Sequence, residues 1–213
     1  MPKKKKKKKK KKMEAKRAAV LSELLDTEKT YVQGLQTLTR VFANPIRLTP
    51  KAFLIKKSTN QSNLEKTSTQ RLLPPEDTNS MFSNVDTLLT FHQELVKILQ
   101  ERILPAPETD SPGTQTSPGD TVDTCIGDVF VARAPFLRMY STYLNNYQAA
   151  LTTLRRCEDQ NADFKTFLET AHKEPSLNGL NIVAFLLLPI QRIPRCVPPF
   201  LIPFSFLFFF LFF

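Results

Sequence analysis

Leu177–Arg195 reads LNGLNIVAFLLLPIQRIPR. From Leu180 to Leu188 it is apolar at nearly every position, a pattern that predicts the most deeply buried segment of the chain rather than a surface helix with one apolar stripe. After Pro189 the character changes, and Gln191 and Arg195 follow at a four-residue step. That step places both on one helical face, provided Pro194 kinks the helix rather than ending it. Beyond Arg195 the chain continues CVPPFLIPFSFLFFFLFF, where Pro198, Pro199 and Pro203 exclude a regular helix over Val197–Pro203.

Upstream, Val20, Leu21, Leu24, Leu25, Tyr31, Val32, Leu35, Leu38 and Phe42 recur at mostly three- and four-residue steps. They predict one long amphipathic helix from Met13 to Phe42, ending near Asn44-Pro45. Residues 49–70 are rich in Lys, Ser, Thr and Asn and read as a connecting loop. Pro74-Pro75-Glu76-Asp77 opens a second helical region, whose stripe of Phe82, Val85, Leu88, Leu89, Phe91, Leu95, Ile98 and Leu99 runs on to Leu104. Residues 105–122, with Ser-Pro-Gly turns at Ser111 and Ser117, read as a flexible insertion. Helical spacing resumes at Ile126, is interrupted near Pro135 and continues to Leu154. A shorter helix follows over about Asn161–His172 with Phe164, Phe167 and Leu168 inward, and Pro175–Gly179 is a turn. Alternation at period two is absent, so the expected architecture is an all-α, elongated helical bundle.

The chain has 213 residues, enough for one domain with a real core. Its formal charge of +10 belongs to the block Lys3–Lys12: removing those ten from the 30 basic residues leaves 20 against 20 acidic ones. Nucleic acid is therefore not an expected partner. Residues 1–12 are read as a disordered tail, since ten like charges repel and bury nothing. An all-Lys run is what an A-rich nucleotide stretch encodes, and Met13 offers a second start. The functional alternative is an arm for nuclear localisation or for an anionic membrane surface. Residues 196–213 form an aberrant Phe-, Leu- and Pro-rich tail; Pro198–Phe213 is what a pyrimidine tract encodes, and only ten residues follow its last proline, too few for a spanning helix. Cys125, Cys157 and Cys196 lack Cys-x-x-Cys spacing, which fits a reducing, cytoplasmic setting.

No Gly-x-x-x-x-Gly-Lys cradle, no Gly-x-Ser-x-Gly elbow and no ligand-spaced His or Cys group occurs, so nucleotide hydrolysis, nucleophilic catalysis and metal binding have little to build on. His92 sits among Leu89, Phe91 and Leu95 and reads as a packing histidine. Glu28 is the anomaly: it falls within the apolar stripe of the first helix, where a carboxylate costs desolvation unless it is served. Either that face is partly open and Glu28 reaches solvent or a base such as Arg192 or Arg195, or the face is a binding surface for a partner that brings its own donors. Periodicity leaves both open.

Several blocks together carry a resemblance. Glu23–Val32 (ELLDTEKTYV), Met81–Leu99 (MFSNVDTLLTFHQELVKIL), Ile126–Phe130 (IGDVF), Met139–Leu151 (MYSTYLNNYQAAL) and the Pro-Ile-Gln-Arg of the opening stretch resemble, in order and spacing, the Dbl-homology domain of exchange factors for Rho-type GTPases. The resemblance covers about Lys16–Arg195, so residues 13–195 are read as a partial Dbl-homology domain. It implies a guanine nucleotide exchange factor for a Rho-family small GTPase, with no covalent chemistry and no cofactor: the domain favours the nucleotide-free GTPase and is displaced by incoming GTP. It implies that Glu28, Gln191 and Arg195 contact the GTPase, with Tyr31 and Arg192 as structural neighbours. Cytoplasmic or membrane-peripheral placement follows from the same reading.

Departures from the family pattern carry expectations too. Cys196 stands where a Tyr is expected, and the leucine-rich helix and pleckstrin-homology domain that would follow are absent. Leu21, Leu24 and Leu35 would then lose packing neighbours, at roughly 2 to 5 kcal/mol per large side chain against a total stability of about 5 to 15. Weak folding and impaired exchange are expected of the chain as it stands. The alternatives from other classes are a GTPase-binding scaffold without exchange activity and a helical protein anchored to a membrane by its Phe-rich tail.

Overall fold

A computed structural model describes residues 2–48, 71–103 and 126–196, with side chains at 7–48, 71–103 and 126–193. The readings of residues 49–70 as a loop, 105–122 as an insertion and 197–213 as an aberrant tail lie outside the described residues. Every regular element among the described residues is helical.

Helix α1 spans Pro2–Thr37, a π-helical segment covers Leu38–Ala43, and α2 covers Asn44–Leu48. The long amphipathic helix is thus present, but it differs at both ends from the expectation. It includes the Lys block, where Lys7–Lys12 are exposed; lysine is a good helix former, and Pro2 at the first turn starts the helix without needing a donor. At the other end Pro45 does not stop it. In α register the proline ring would meet the carbonyl of Val41 and that oxygen would lose its donor; the wider turn just before, in which the Asn44 amide reaches back to Thr39, shifts the register so that Pro45 falls in the first turn of α2. The buried stripe runs Leu21, Leu25, Glu28, Tyr31, Val32, Leu35, Leu38, Phe42 and Ile46, while Val20 is 63% exposed and lies outside it.

The second helical region is two helices, α3 (Pro75–Phe82) and α4 (Val85–Ile103). Ser83 breaks them with φ +46°, a conformation that costs a non-glycine residue about 1 to 3 kcal/mol. Asn84 holds the break by donating to the Met139 carbonyl at 2.9 Å. Then come α5 (Gly127–Arg133), a 3-10 turn at Ala134–Leu137, α6 (Arg138–Gln160) and α7 (Ala162–Ala171). Asn161 caps α7: its side-chain oxygen accepts from the amides of Asp163 and Phe164, both at 3.1 Å. A 3-10 turn at Pro175–Leu177 leads through Asn178 and Gly179, both at positive φ, to α8 (Ile182–Leu186) and α9 (Leu188–Cys196).

Two compact units partition the chain: Met1–Val32 with Thr90–Leu137, and Gln33–Leu89 with Arg138–Phe213. In the first, Leu21, Leu25, Phe91, Leu95, Leu99 and Val129 are buried, and Arg133 lies over the Phe91 ring at 5.7 Å while pairing with Glu94 at 3.5 Å. In the second, α3 packs on α6 through the Ser80–Thr153 hydroxyl contact at 3.1 Å and the Asn146 amide donating to the Ser80 carbonyl at 2.6 Å. There the π segment meets α8, with the Phe42 and Phe185 rings 6.3 Å apart.

Leu180–Leu188 is a correction. Ile182, Phe185 and Leu186 are buried, but Leu180 is 51% and Val183 36% exposed. Leu186 is fully buried, but no more so than Leu35, Leu38, Phe42, Ile46, Phe82 and Phe164 elsewhere in the second unit. An apolar run of this length is split by a helix boundary and is buried on one side only, so its composition overstated its depth.

Candidate functional site

Pro189 divides the signature stretch. A proline has no amide proton for the Phe185 carbonyl and its ring crowds that oxygen, so α8 ends at Leu186 and α9 starts afresh. The Gln191 amide donates to the Leu187 carbonyl at 3.1 Å to open the new ladder. Helix α9 then passes through Pro194 to Cys196, so the four-residue step from Gln191 to Arg195 does fall on one helical face. Gln191 is exposed and Arg192 is 3% exposed; a guanidinium withdrawn to that degree belongs to the packing of the unit rather than to its surface. The side chain of Arg195 lies outside those described.

This stretch is seated from two sides. The Tyr143 hydroxyl on α6 donates to the Leu186 carbonyl at 2.8 Å, with both residues buried. Gly34, in the last turns of α1, allows Leu188 to come close: a Cβ built on Gly34 would lie 2.5 Å from a Leu188 methyl carbon. A side chain at residue 34 would have to displace Leu188, which is the local reason for a glycine inside this helix. Across the exposed side of the π segment, Gln33, Gln36, Thr37, Arg40, Asn44 and Leu89 line an open depression of about 410 Å³. Arg40 is held nearby by the Ser176 hydroxyl at 2.8 Å and Glu174 at 3.6 Å.

Glu28 belongs to the other unit and does not reach solvent. It is 1% exposed, and its carboxylate is hydrogen bonded to Nδ1 of His92, itself 2% exposed. Tyr31, one turn further along α1, sets its ring edge-on to the imidazole with centroids 4.7 Å apart at 87°. Phe91 meets the imidazole at 5.0 Å and 84°. The structure thus brings Glu28, Tyr31 and His92 together, and the reading of His92 as a packing histidine captured only half of its role. The signal was present: His92 interrupts the stripe of α4 much as Glu28 interrupts that of α1, and two polar intrusions into two apolar stripes can serve each other. Their separation of 64 residues hid the pairing. Gln191, Arg192 and Arg195 lie in the second unit, Glu28 and Tyr31 in the first.

Elsewhere in the second unit, burial pushes the Cys157 thiol up to about 11, and the neighbouring Asp77 carboxylate adds to the effect. Cys157 donates to Asp77 at 3.6 Å, and Asp77 also accepts from Arg156. A thiol held protonated in this way is no nucleophile at neutral pH. Among the described residues, no group of three or more His, Cys, Asp or Glu side chains is placed to hold a metal ion, and no helix is long and apolar enough to cross a membrane.

Against known proteins, the model of the RhoGEF domain family matches residues 20–197. Curated relatives include the myosin-M heavy chain of Dictyostelium discoideum, 31% identical over 186 residues that make up 87% of this chain and 9% of that protein. The FYVE, RhoGEF and PH domain-containing protein 1 of Mus musculus is 29% identical over 176 residues, 83% of this chain and 15% of that protein. Rac guanine nucleotide exchange factor B of Dictyostelium discoideum is 28% identical over 197 residues, again 15% of its length. The chain therefore spans a small part of each relative. Among solved structures, the linker-DH/PH domains of p115-RhoGEF superpose with a TM-score of 0.62 at 23% identity, covering 86% of this chain and 47% of that one. A structure of the Vav1 exchange factor gives 0.62 at 19% identity, covering 85% and 39%. These likenesses establish a shared all-α fold.

Proposed function

The chain belongs to the RhoGEF domain family, and on that footing we propose that it docks onto a Rho-family small GTPase and speeds release of the bound guanine nucleotide, with no covalent step and no cofactor of its own. The observation that carries the proposal is the family match over residues 20–197, which contains both the α1 block around Glu28 and the whole of α9 up to Arg195.

A domain that bound the nucleotide-loaded and the empty GTPase equally well would leave release unchanged; only preference for the empty form shifts the equilibrium toward it. Three side chains are assigned the docking role. Gln191 is exposed on α9 and offers an amide that both donates and accepts. Arg195, one turn on, supplies a fixed positive charge at the same helical face. Glu28 supplies the carboxylate for the donors of a GTPase switch loop, and Tyr31 and Arg192 hold the helices that present these groups. Attachment to an anionic membrane through the exposed lysines of α1 is a separate, secondary proposal. It rests on the charge of Lys7–Lys12, which the helix presents to solvent.

The burial of Glu28 lends one point of support to a second reading, a scaffold that binds a GTPase without exchanging its nucleotide. Release of a fluorescent guanine nucleotide from a panel of Rho-family GTPases tests both. It is to be run with this chain and with residues 13–195 joined to the C-terminal half of a family member. Exchange is expected in the joined protein for at least one GTPase and is expected to fall with Glu28→Ala while the fold persists. Binding without exchange, unmoved by Glu28→Ala, favours the scaffold, and failure of every GTPase to respond or bind rejects both.

A further inference from the structure

Three features of the described residues have no place in the docking scheme: the imidazole of His92, the Asp77–Arg156–Cys157 cluster and the depression beside Arg40. Of these, His92 touches a residue to which docking is assigned. We propose that His92 is a latch on Glu28: in the free chain Nδ1 holds the carboxylate away from solvent, and docking exchanges that hydrogen bond for donors on the GTPase. The inference rests on the reading of Glu28 as a docking residue.

Geometry carries it. With Glu28 at 1% and His92 at 2% exposure, a loop of another protein cannot meet this carboxylate while it stays on the imidazole. The imidazole cannot follow it outward, because Tyr31 and Phe91 flank the ring edge-on at 4.7 and 5.0 Å. The carboxylate is the movable partner, at the end of a flexible side chain on α1. A hydrogen bond between a carboxylate and an imidazole inside a protein is among the stronger ones, so the released state is a minority of the free chain. Apparent affinity is lowered by the fraction of molecules that are competent to dock. By the ordinary strength of a hydrogen bond to a charged group, that factor is about tenfold to a hundredfold. His92 acts through Glu28 and is therefore a positioning residue, one that restrains docking rather than assisting it.

The test is equilibrium binding of this chain to a purified Rho-family GTPase stripped of its nucleotide, with a melting curve for every variant. His92→Phe removes the donor while filling the space of the ring, and it is expected to lower Kd about tenfold or more. His92→Asn returns an amide nitrogen near the position of Nδ1 and is expected to restore the wild-type Kd. Adding Glu28→Ala to His92→Phe should abolish the gain. Unchanged or weaker binding by a folded His92→Phe chain overturns the latch and leaves the docking reading standing, provided Glu28→Ala alone weakens binding. Wild-type affinity in Glu28→Ala overturns the docking reading itself, and the latch with it. Should His92→Phe fail to fold, the nitrogen resonances of His92 in the wild-type chain give the answer: loss of the hydrogen-bonded Nδ1 signature on saturation with GTPase supports the latch, and an unchanged signal overturns it.

Discussion

Tyr143→Phe isolates the contact that seats the signature stretch. The hydroxyl donates to the Leu186 carbonyl at 2.8 Å; Tyr143 is 3% and Leu186 0% exposed, so water does not replace the lost donor. The ring remains, so no cavity term enters, and the cost is that of leaving a buried carbonyl short of a donor, about 1 to 3 kcal/mol. For a chain of this size each kcal/mol moves the midpoint by about 2 to 4 °C, which puts the expected loss at about 2 to 12 °C in a melt followed by helical circular dichroism. Hydrogen exchange should localise the damage, with amides of α8 and the first turn of α9 losing protection before those of α3. A melting temperature within about 1 °C of wild type, with α8 amides unaffected, would refute the claim that this bond fixes the stretch.

Cys157 should react with an alkylating agent about 100-fold more slowly in the folded chain than in the unfolded one at pH 8, because its thiol is raised from 9.0 to about 11. The same shift makes stability depend on alkaline pH. The folded value lies above the unfolded one, so the unfolded state loses its proton first and stability declines as pH rises from 9.0 toward about 11; denaturant midpoints across that range check the sign. Asn161→Ala should cost about 1 to 2 kcal/mol in urea unfolding, at the upper end for a cap because the same side chain also donates to the Leu72 carbonyl at 3.0 Å. Gly34→Val should cost about 1 to 3 kcal/mol, since its side chain must displace Leu188. Gly34→Ala should come out near neutral, because the gain in helix propensity offsets the rotation of a single leucine side chain.

The helical class, the stripe of α1 apart from Val20 and the interruption at Pro135 were legible, because each is a local pattern whose period or punctuation belongs to one conformation. Local rules failed where packing chose between permitted conformers. Asn44-Pro45 reads as a stop, yet the π turn at Leu38–Ala43 accommodates the proline. The stripe from Phe82 to Leu99 reads as unbroken, yet Ser83 takes φ +46° and the apolar spacing carries no trace of it. Leu180 and Val183 are as hydrophobic as their buried neighbours, and only the placement of α8 determines which side is covered. At the site, the sequence marked Glu28 as out of place but could not find its partner. Pairing across 64 residues is a property of how α1 and α4 lie together, and periodicity within one helix does not contain it.

The most direct test is the rate at which a Rho-family GTPase releases a fluorescent guanine nucleotide in the presence of residues 13–195 joined to a family C-terminal half. The account predicts that at least one family member releases its nucleotide faster, and that Glu28→Ala or Gln191→Ala each slows this by tenfold or more while the helical signal is retained. Release at the intrinsic rate for every Rho-family member, from a protein shown to be folded, would contradict it.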